Sequence, residues 1–466
     1  MRKPEDVPPT ATPRQAPGRP EQSRRSNLSR EEIAQIEVGH TTIAPATVHV
    51  LLAFFLTAMA VVPMVEWTGA RALRAKGVTT AWSQLLDLPG ETRSHLAGAT
   101  VPTDVSGLRR LVISTNRIVL AALSGFERAL EDQSLLGRSL RPHAQVVMSG
   151  WLGAGNERVY PGLDGWLFYR PDVEYVTGRG FLDQAQLRRR VAAASEWTAP
   201  PQPDPRKAIA QFKRDLEARG IALVVMPTPL KPGVHPDMLA RRYADVAGVL
   251  QNPSYGAFVD DLRRDGVLVV DPSEALVAAR RSGPQYLTTD THWRPETMEE
   301  VAELLGGVIA AHVRLPVVAD PGYRIERSEV RNTGDAARML DLPDEGLLFP
   351  PEAVWLRRIL QPDGSVWRSS RDADVLVLGD SFSNIYALES MGWGTSAGLA
   401  EQLSYTLRRP VDRLVQNDEG AFATRAMLQR DLDRLNGTRV VVYQFAAREL
   451  AFGDWKVIPL PTPPRP

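Results

Sequence analysis

Residues 1–40 hold six prolines and many charges with almost no aliphatic periodicity. Such a segment cannot bury enough apolar surface to fold, and residues 1–42 read as a disordered tail. From 43 to 67 the pattern inverts: between Val48 and Val65, His49 and Thr57 are the only polar side chains, and Trp67 follows at the place of an interface anchor. That length of apolar chain is enough for a membrane-spanning helix. Residues 68–154 then alternate helix-like stretches with loops. Within 108–130, Leu108, Leu111, Ile113, Ile118, Leu120, Leu123 and Phe126 form a helical stripe, which suits a stalk or packing helix.

After the stiff Pro200-Pro201-Gln202-Pro203-Asp204-Pro205 segment the rhythm becomes strand and helix in turn. A helix over 207–219 stops at Gly220, and 221–226 is an apolar run. A helix over 255–264 leads to a strand over 267–270. A helix over 295–313 follows, then strands over 375–378 and 438–445, the last preceded by a helix over 421–435 that stops at Asn436-Gly437. Alternation of this kind predicts an α/β fold built on a parallel sheet with helices on its faces. The strand ends at Met226, Asp271 and Leu378, with Phe445 a candidate fourth, then lie along one edge, and their loops form the site wall. Residues 456–466 read as a proline-rich tail.

Composition narrows the function. With 55 basic and 55 acidic residues the formal net charge is zero, which argues against a broad nucleic-acid-binding surface. The chain has no cysteine, so disulfides, thiolate catalysis and cysteine-ligated zinc are excluded. Arg2, Lys3, Arg14, Arg19, Arg24, Arg25 and Arg30 precede the apolar segment, against Arg71, Arg74 and Lys76 after it. The excess favours a cytoplasmic amino terminus and an uncleaved single-pass anchor. Ala58-Met59-Ala60 keeps a cleaved signal open as a second reading, and a buried soluble helix is a third.

The chemistry centres on Asp374-Val375-Leu376-Val377-Leu378-Gly379-Asp380-Ser381-Phe382-Ser383-Asn384. A buried strand runs into a sharp turn and then a helix, which places Ser381 at a strand's carboxyl end and beside a helix amino terminus. Gly-Asp-Ser is either a nucleophile turn or an ordinary helix cap. A second stretch, Thr288-Thr289-Asp290-Thr291-His292-Trp293-Arg294, alternates its side chains when extended, so that Asp290 and His292 point the same way. A carboxylate beside an imidazole fixes the tautomer needed to deprotonate a serine.

Together with Gly165-Trp166-Leu167-Phe168-Tyr169, Pro227-Thr228-Pro229-Leu230-Lys231, Gly334-Asp335, Met339-Leu340 and Phe445-Ala446-Ala447-Arg448-Glu449-Leu450, the Asp-Thr-His-Trp and Gly-Asp-Ser-Phe-Ser stretches resemble the SGNH-hydrolase-like acetyltransferases of exopolysaccharide modification, the AlgJ/AlgX family. The resemblance covers residues 155–453, within an expected domain over 155–455, and implies a flavodoxin-like sheet with the Asp/His pair ahead of the serine, a permuted order. It implies a Ser381–His292–Asp290 triad and an acetyl-serine intermediate. It also implies an exported polysaccharide acceptor, a membrane-bound O-acyltransferase partner as acetyl donor, and a catalytic domain in the periplasm anchored to the bacterial inner membrane. No cofactor and no metal are expected, since no further clustered histidine or acidic ligand accompanies Asp290 and His292 at typical spacing. Acetyl esterase and non-catalytic glycan-binding scaffold remain the competing readings.

Around the triad, Asn384 is a candidate oxyanion donor, Tyr386 and Trp293 are candidate substrate contacts, and Lys231 reaches an anionic substrate, holds its loop or, the favoured reading, is an ordinary solvated surface lysine. Asn384 and Tyr386 equally suit helix initiation and packing. Gln444 and Arg448 are candidates for the pocket wall, with an Arg448–Glu449 ion pair the favoured alternative for the arginine.

Overall fold

The computed structural model describes residues 44–78, 80–98, 104–193, 199–417 and 419–461. The expected tail at 1–42 and the end of the proline-rich tail lie outside them. The chain divides into two compact units, Met1–Arg138 and Ser139–Pro466.

In the first unit the apolar segment forms a helix over Pro45–Arg74. Pro45 stands at its start, where a missing N–H is harmless. At about 1.5 Å per residue it is long enough to cross a bilayer. Leu51, Phe54, Phe55, Leu56 and Met59 are exposed along it, an arrangement stable against lipid and costly in water. Lower on the same helix Glu66 is buried and accepts bonds from Ser134 Oγ at 2.7 Å and the Leu136 N–H at 3.0 Å. The stripe expected over 108–130 lies in the helix Val105–Gln133, whose first turn is capped by Asp104 accepting from the Gly107 N–H at 2.9 Å.

The second unit is organised by a five-stranded parallel sheet. In chain order the strands of this unit are β1 (Val159–Pro161), β2 (Leu167–Tyr169), β3 (Ala222–Thr228), β4 (Leu268–Val269), β5 (Arg324–Asn332), β6 (Glu352–Leu360), β7 (Val375–Gly379), β8 (Asp412–Val415) and β9 (Val440–Ala446). The sheet runs β4-β3-β9-β7-β8 with every neighbouring pair parallel. β7 and β9 are buried at every position, as expected of strands covered on both faces. Their near-continuous aliphatic runs are what made them readable. The last of the described strands, β9, lies at the centre, between β3 and β7, so the sheet closes by pairing segments far apart in sequence.

Covering helices follow the apolar periodicity. In Pro205–Glu217, Ala208, Ile209, Phe212 and Leu216 are buried, and in Tyr255–Arg264, Tyr255, Phe258, Val259 and Leu262 are buried. Pro295–His312 buries Met298, Val301, Leu305 and Ile309. The helix expected over 421–435 is broken into Ala423–Arg430 and a 3-10 turn Leu432–Leu435. β8 was not anticipated; it is short, with alternating burial. Neither was the antiparallel ribbon β5–β6, whose strands are rich in arginine and glutamate and bury little of β5.

Phe212 is 1% exposed and meets the Tyr443 ring edge-on at 5.9 Å, joining its helix to β9. Phe212→Ala should therefore destabilise the second unit by about 3–5 kcal/mol, read as a lowered urea midpoint with little change in the slope of the transition.

Candidate active site

β7 ends at Gly379 and the chain turns at Asp380 into the short helix Ser381–Asn384. Asp380 has an extended backbone and acts as the cap, its Oδ1 accepting the Phe382 N–H at 2.9 Å. The same carboxylate reaches β9: Oδ2 accepts the Ala446 N–H at 2.6 Å, and Oδ1 accepts from Gln444 Nε2 at 2.9 Å. Gln444 in turn accepts at Oε1 from the Asp380 N–H at 3.0 Å and from Ser383 Oγ at 2.7 Å, and donates to Thr228 Oγ1 at 2.7 Å. Three adjacent strands thus hold one turn. Gly379 is required here because a Cβ would come within 2.3 Å of Ser383 Oγ.

Opposite stands the loop between Tyr286 and Trp293, closed by a bridge between those two residues. Ser381 Oγ lies 2.8 Å from His292 Nε2, and His292 Nδ1 lies 2.7 Å from Asp290 Oδ1. All three residues are buried or nearly so, with Ser381 at 9%. Asp290 also accepts the His292 N–H at 3.1 Å on Oδ1, and the Asp335 N–H at 3.0 Å and Trp393 Nε1 at 2.9 Å on Oδ2. Burial works against the Asp290 charge, but the hydrogen bond and charge of His292 overcome it and hold the carboxyl well below the usual range. Burial likewise pulls the His292 imidazole down, and the Asp290 bond and charge outweigh it, so the net shift is upward.

Asp335 was not singled out as a site residue. It follows β5 and a glycine, and a Cβ on Gly334 would stand 2.2 Å from the Thr289 carbonyl oxygen. That close approach brings the Asp335 carboxylate to 3.6 Å from His292 Nδ1. Asp290, His292 and Asp335 therefore form a cluster whose ligand atoms lie within 4.8 Å of one another, which corrects the expectation that no further acidic group accompanies the pair. The hydrogen bonds of Asp290 already occupy both its oxygens, so the cluster fits a proton relay better than an ion. Burial and the Asp290 charge push the Asp335 carboxyl up to about 6.

The remaining predicted residues divide. Asn384 is at the site's edge, 9% exposed, with one amide hydrogen donated to Asn417 Oδ1 at 2.9 Å. A second hydrogen remains on that amide. Trp293 is fully buried and donates through Nε1 to the Phe382 carbonyl at 3.1 Å; Tyr386 is fully buried and donates to the Trp293 carbonyl at 2.6 Å. Both side chains pin the histidine loop to the serine helix, and neither offers a face to substrate. Lys231 is 1% exposed, and its ammonium donates to the carbonyls of Leu167 at 2.6 Å, Thr288 at 2.8 Å and Asp290 at 2.9 Å. It holds the loop and does not reach substrate. Burial pulls its amine down to about 7, opposed by Asp290 and Asp335. The Trp166 and Phe168 rings lie 4.9 and 5.2 Å from its nitrogen, so that aromatic strand is core packing beneath the site.

Arg448 pairs with Asp172 at 3.0 Å, not with Glu449, which instead accepts the Ala421 N–H at 3.1 Å. Its guanidinium lies 5.9 Å from the ring of Phe382, next to the serine. With Asp380, Asn417, Tyr443, Gln444 and Glu449 it lines a cavity of about 40 Å³ at the carboxyl ends of β7 and β9. The partner Asp172 is fully buried and 276 residues away in sequence, which is why local spacing pointed to Glu449.

A parallel sheet with a serine turn at one strand's carboxyl end, faced by a histidine–aspartate pair from a preceding loop, defines the SGNH-hydrolase-like class of α/β proteins. Residues 159–447 match the family described as SGNH hydrolase-like domain, acetyltransferase AlgX, and the chain belongs to that family. It is 28% identical over 206 residues to the probable alginate O-acetylase AlgJ of Pseudomonas aeruginosa, covering 44% of this chain and 46% of the relative. To the AlgJ of Pseudomonas putida it is 25% identical, covering 64% of this chain and 71% of the relative. The chain thus spans about half the length of the first of these relatives. Among solved structures, the O-acetyltransferase domain of Pseudomonas putida AlgJ has 22% identity and a TM-score of 0.47, covering 63% of this chain and 92% of that one.

The Lys231 bonds generate a direct expectation. Lys231→Met removes the donors of three carbonyls, two of them in the histidine loop, and should cost about 3 kcal/mol, measured as a lowered midpoint of thermal or urea unfolding. A variant as stable as the wild type would show the amine to be dispensable.

Proposed function

We propose that the protein is an O-acetyltransferase that carries acetyl groups to hydroxyls of an exported polysaccharide through an acetyl-serine intermediate. The observation that carries this reading is the continuous relay from Ser381 Oγ to His292 Nε2 at 2.8 Å and from His292 Nδ1 to Asp290 Oδ1 at 2.7 Å, within a family described as acetyltransferases. His292, protonated on Nδ1 and neutral at Nε2, takes the proton of Ser381 as the serine attacks the acetyl carbonyl; the bond to the donor's leaving group breaks, and that group receives the proton. The acceptor hydroxyl then passes its proton to His292, attacks the acetyl-serine and releases Ser381, which recovers the proton. Asp290 holds the imidazole and its charge through both steps.

The tetrahedral oxygen is stabilised by the Ser381 backbone N–H, which starts its helix and has no acceptor among the described residues, and by the second amide hydrogen of Asn384. The apolar helix is read as an uncleaved anchor with the catalytic unit on the periplasmic side of the inner membrane. The donor arrives through a membrane-bound O-acyltransferase partner; this follows the family resemblance and the helix's length and exposure.

Intact-mass measurement after incubation with an activated acetyl ester should give a single acetyl adduct that is absent in Ser381→Ala and that moves to an added oligosaccharide. An adduct lost only to water would favour an esterase, and equal behaviour of wild type and variant would remove the catalytic reading. Because the His292 pKa is raised, the rate of adduct formation should climb with pH through an inflection above 6.5. An inflection at or below that value would contradict the Asp290 pairing. After alkaline extraction the intact chain should stay with the membranes; recovery of a soluble, shortened chain would mean a cleaved signal.

A further inference from the structure

We propose that Asp335 is a positioning residue for His292: its carboxylate supplies a second negative charge on the Nδ1 side of the imidazole and stabilises the imidazolium that forms when Ser381 gives up its proton. This rests on the Ser381–His292–Asp290 reading above.

The argument starts from how unequally the two carboxylates are engaged. Asp290 spreads its charge over the His292 N–H and Nδ1, the Asp335 N–H and Trp393 Nε1. A carboxylate so solvated by donors is a weak base and a partly neutralised field source. Asp335 accepts from one residue, Thr291, whose N–H meets Oδ1 and whose hydroxyl meets Oδ2, both at 2.7 Å.

The Thr291 hydroxyl gives its hydrogen to Asp335 and turns a lone pair toward His292 Nδ1 at 3.1 Å. The imidazole N–H therefore has two acceptors on the same side, and the Nδ1-protonated tautomer is fixed from both. At 3.6 Å the Asp335 oxygen is beyond direct hydrogen bonding to Nδ1 and acts through charge and through Thr291. Its placement is not adjustable: the packing of Gly334 against the Thr289 and Asp290 backbone, at 2.2 to 2.4 Å from a would-be Cβ, locks the preceding residue.

Other charges act on this pair. Arg448 opposes the imidazolium, while Lys231 feels both Asp290 and Asp335 along with Glu352 and Asp172. Tyr169 also feels Asp335. None of these stands between Asp335 and the ring in the way Thr291 does. With its carboxyl pushed up to about 6, Asp335 is charged at neutral pH and loses that charge in mild acid.

The test is the pH dependence of Ser381 acetylation by a small activated ester, followed by intact mass between pH 5 and 9 in the full chain held in detergent. Asp335→Asn keeps the shape and removes the charge. It should move the inflection about one unit toward acid and lower the plateau about tenfold. Thr291→Val keeps the charge and removes only the hydroxyl between the two groups, and should move the inflection less than Asp335→Asn does. Where Asp335→Asn fails to fold by circular dichroism, Asp335→Ser, neutral and smaller, takes its place with the same expected shift. An inflection unmoved in the neutral variant overturns the inference even if the plateau falls, because a purely structural residue would do that. A wild type that forms no Ser381-dependent adduct overturns the triad reading instead, and is told apart by that control.

Discussion

The site depends on one buried carboxylate. Asp290 accepts from the backbone and ring of His292, the backbone of Asp335 and the indole of Trp393. The four donors come from three pieces of the fold: the histidine loop, the turn after β5, and the loop following the serine helix. A buried charge without such partners would neutralise itself by taking up a proton. Satisfied in this way it stays ionised, and the same four bonds that keep it charged fix where the histidine, Asp335 and Trp393 must stand.

Around that carboxylate the support is arranged in a second ring of bonds. Lys231 ties β2 to the histidine loop through three carbonyls. Glu352, at the start of β6, accepts the Thr288 N–H at 2.8 Å and pairs with Arg294. The serine turn is fixed independently by Asp380 and Gln444 between β7, β9 and β3. The two halves meet where Trp293 donates to the Phe382 carbonyl and Tyr386 to the Trp293 carbonyl. Two separately braced segments joined at a buried seam hold the Ser381–His292 distance better than one long loop could.

What the sequence made legible follows from this. Ser381, Asp290 and His292 sit in short motifs whose order and spacing carry the geometry, and β7 and β9 are continuous aliphatic runs. Periodicity likewise read the helix Tyr255–Arg264 to the residue. Asp335 was missed as a site residue because only β5 and Gly334 bring it to the imidazole across 44 residues of sequence from Thr291. The ribbon β5–β6 and the short β8 escaped because their polar, weakly buried strands lack the aliphatic signal. Lys231 and Tyr386 could each be read as substrate contacts or as structural residues and Trp293 as a substrate contact; burial, which no single stretch reveals, decides for the clamp in each case.

The position of β9 has a consequence for timing. Its alanine and glutamine close the serine turn, yet among the described strands it comes last in sequence, and it inserts between β7 and the far earlier β3. Pairings of such sequence separation form late and slowly. The turn at Ser381 therefore lacks its ties to Gln444 and Ala446 until β9 has docked between its two neighbours. The topology thus makes the geometry of the serine turn a late product of folding: local sequence writes the motif, and a distant strand sets its shape.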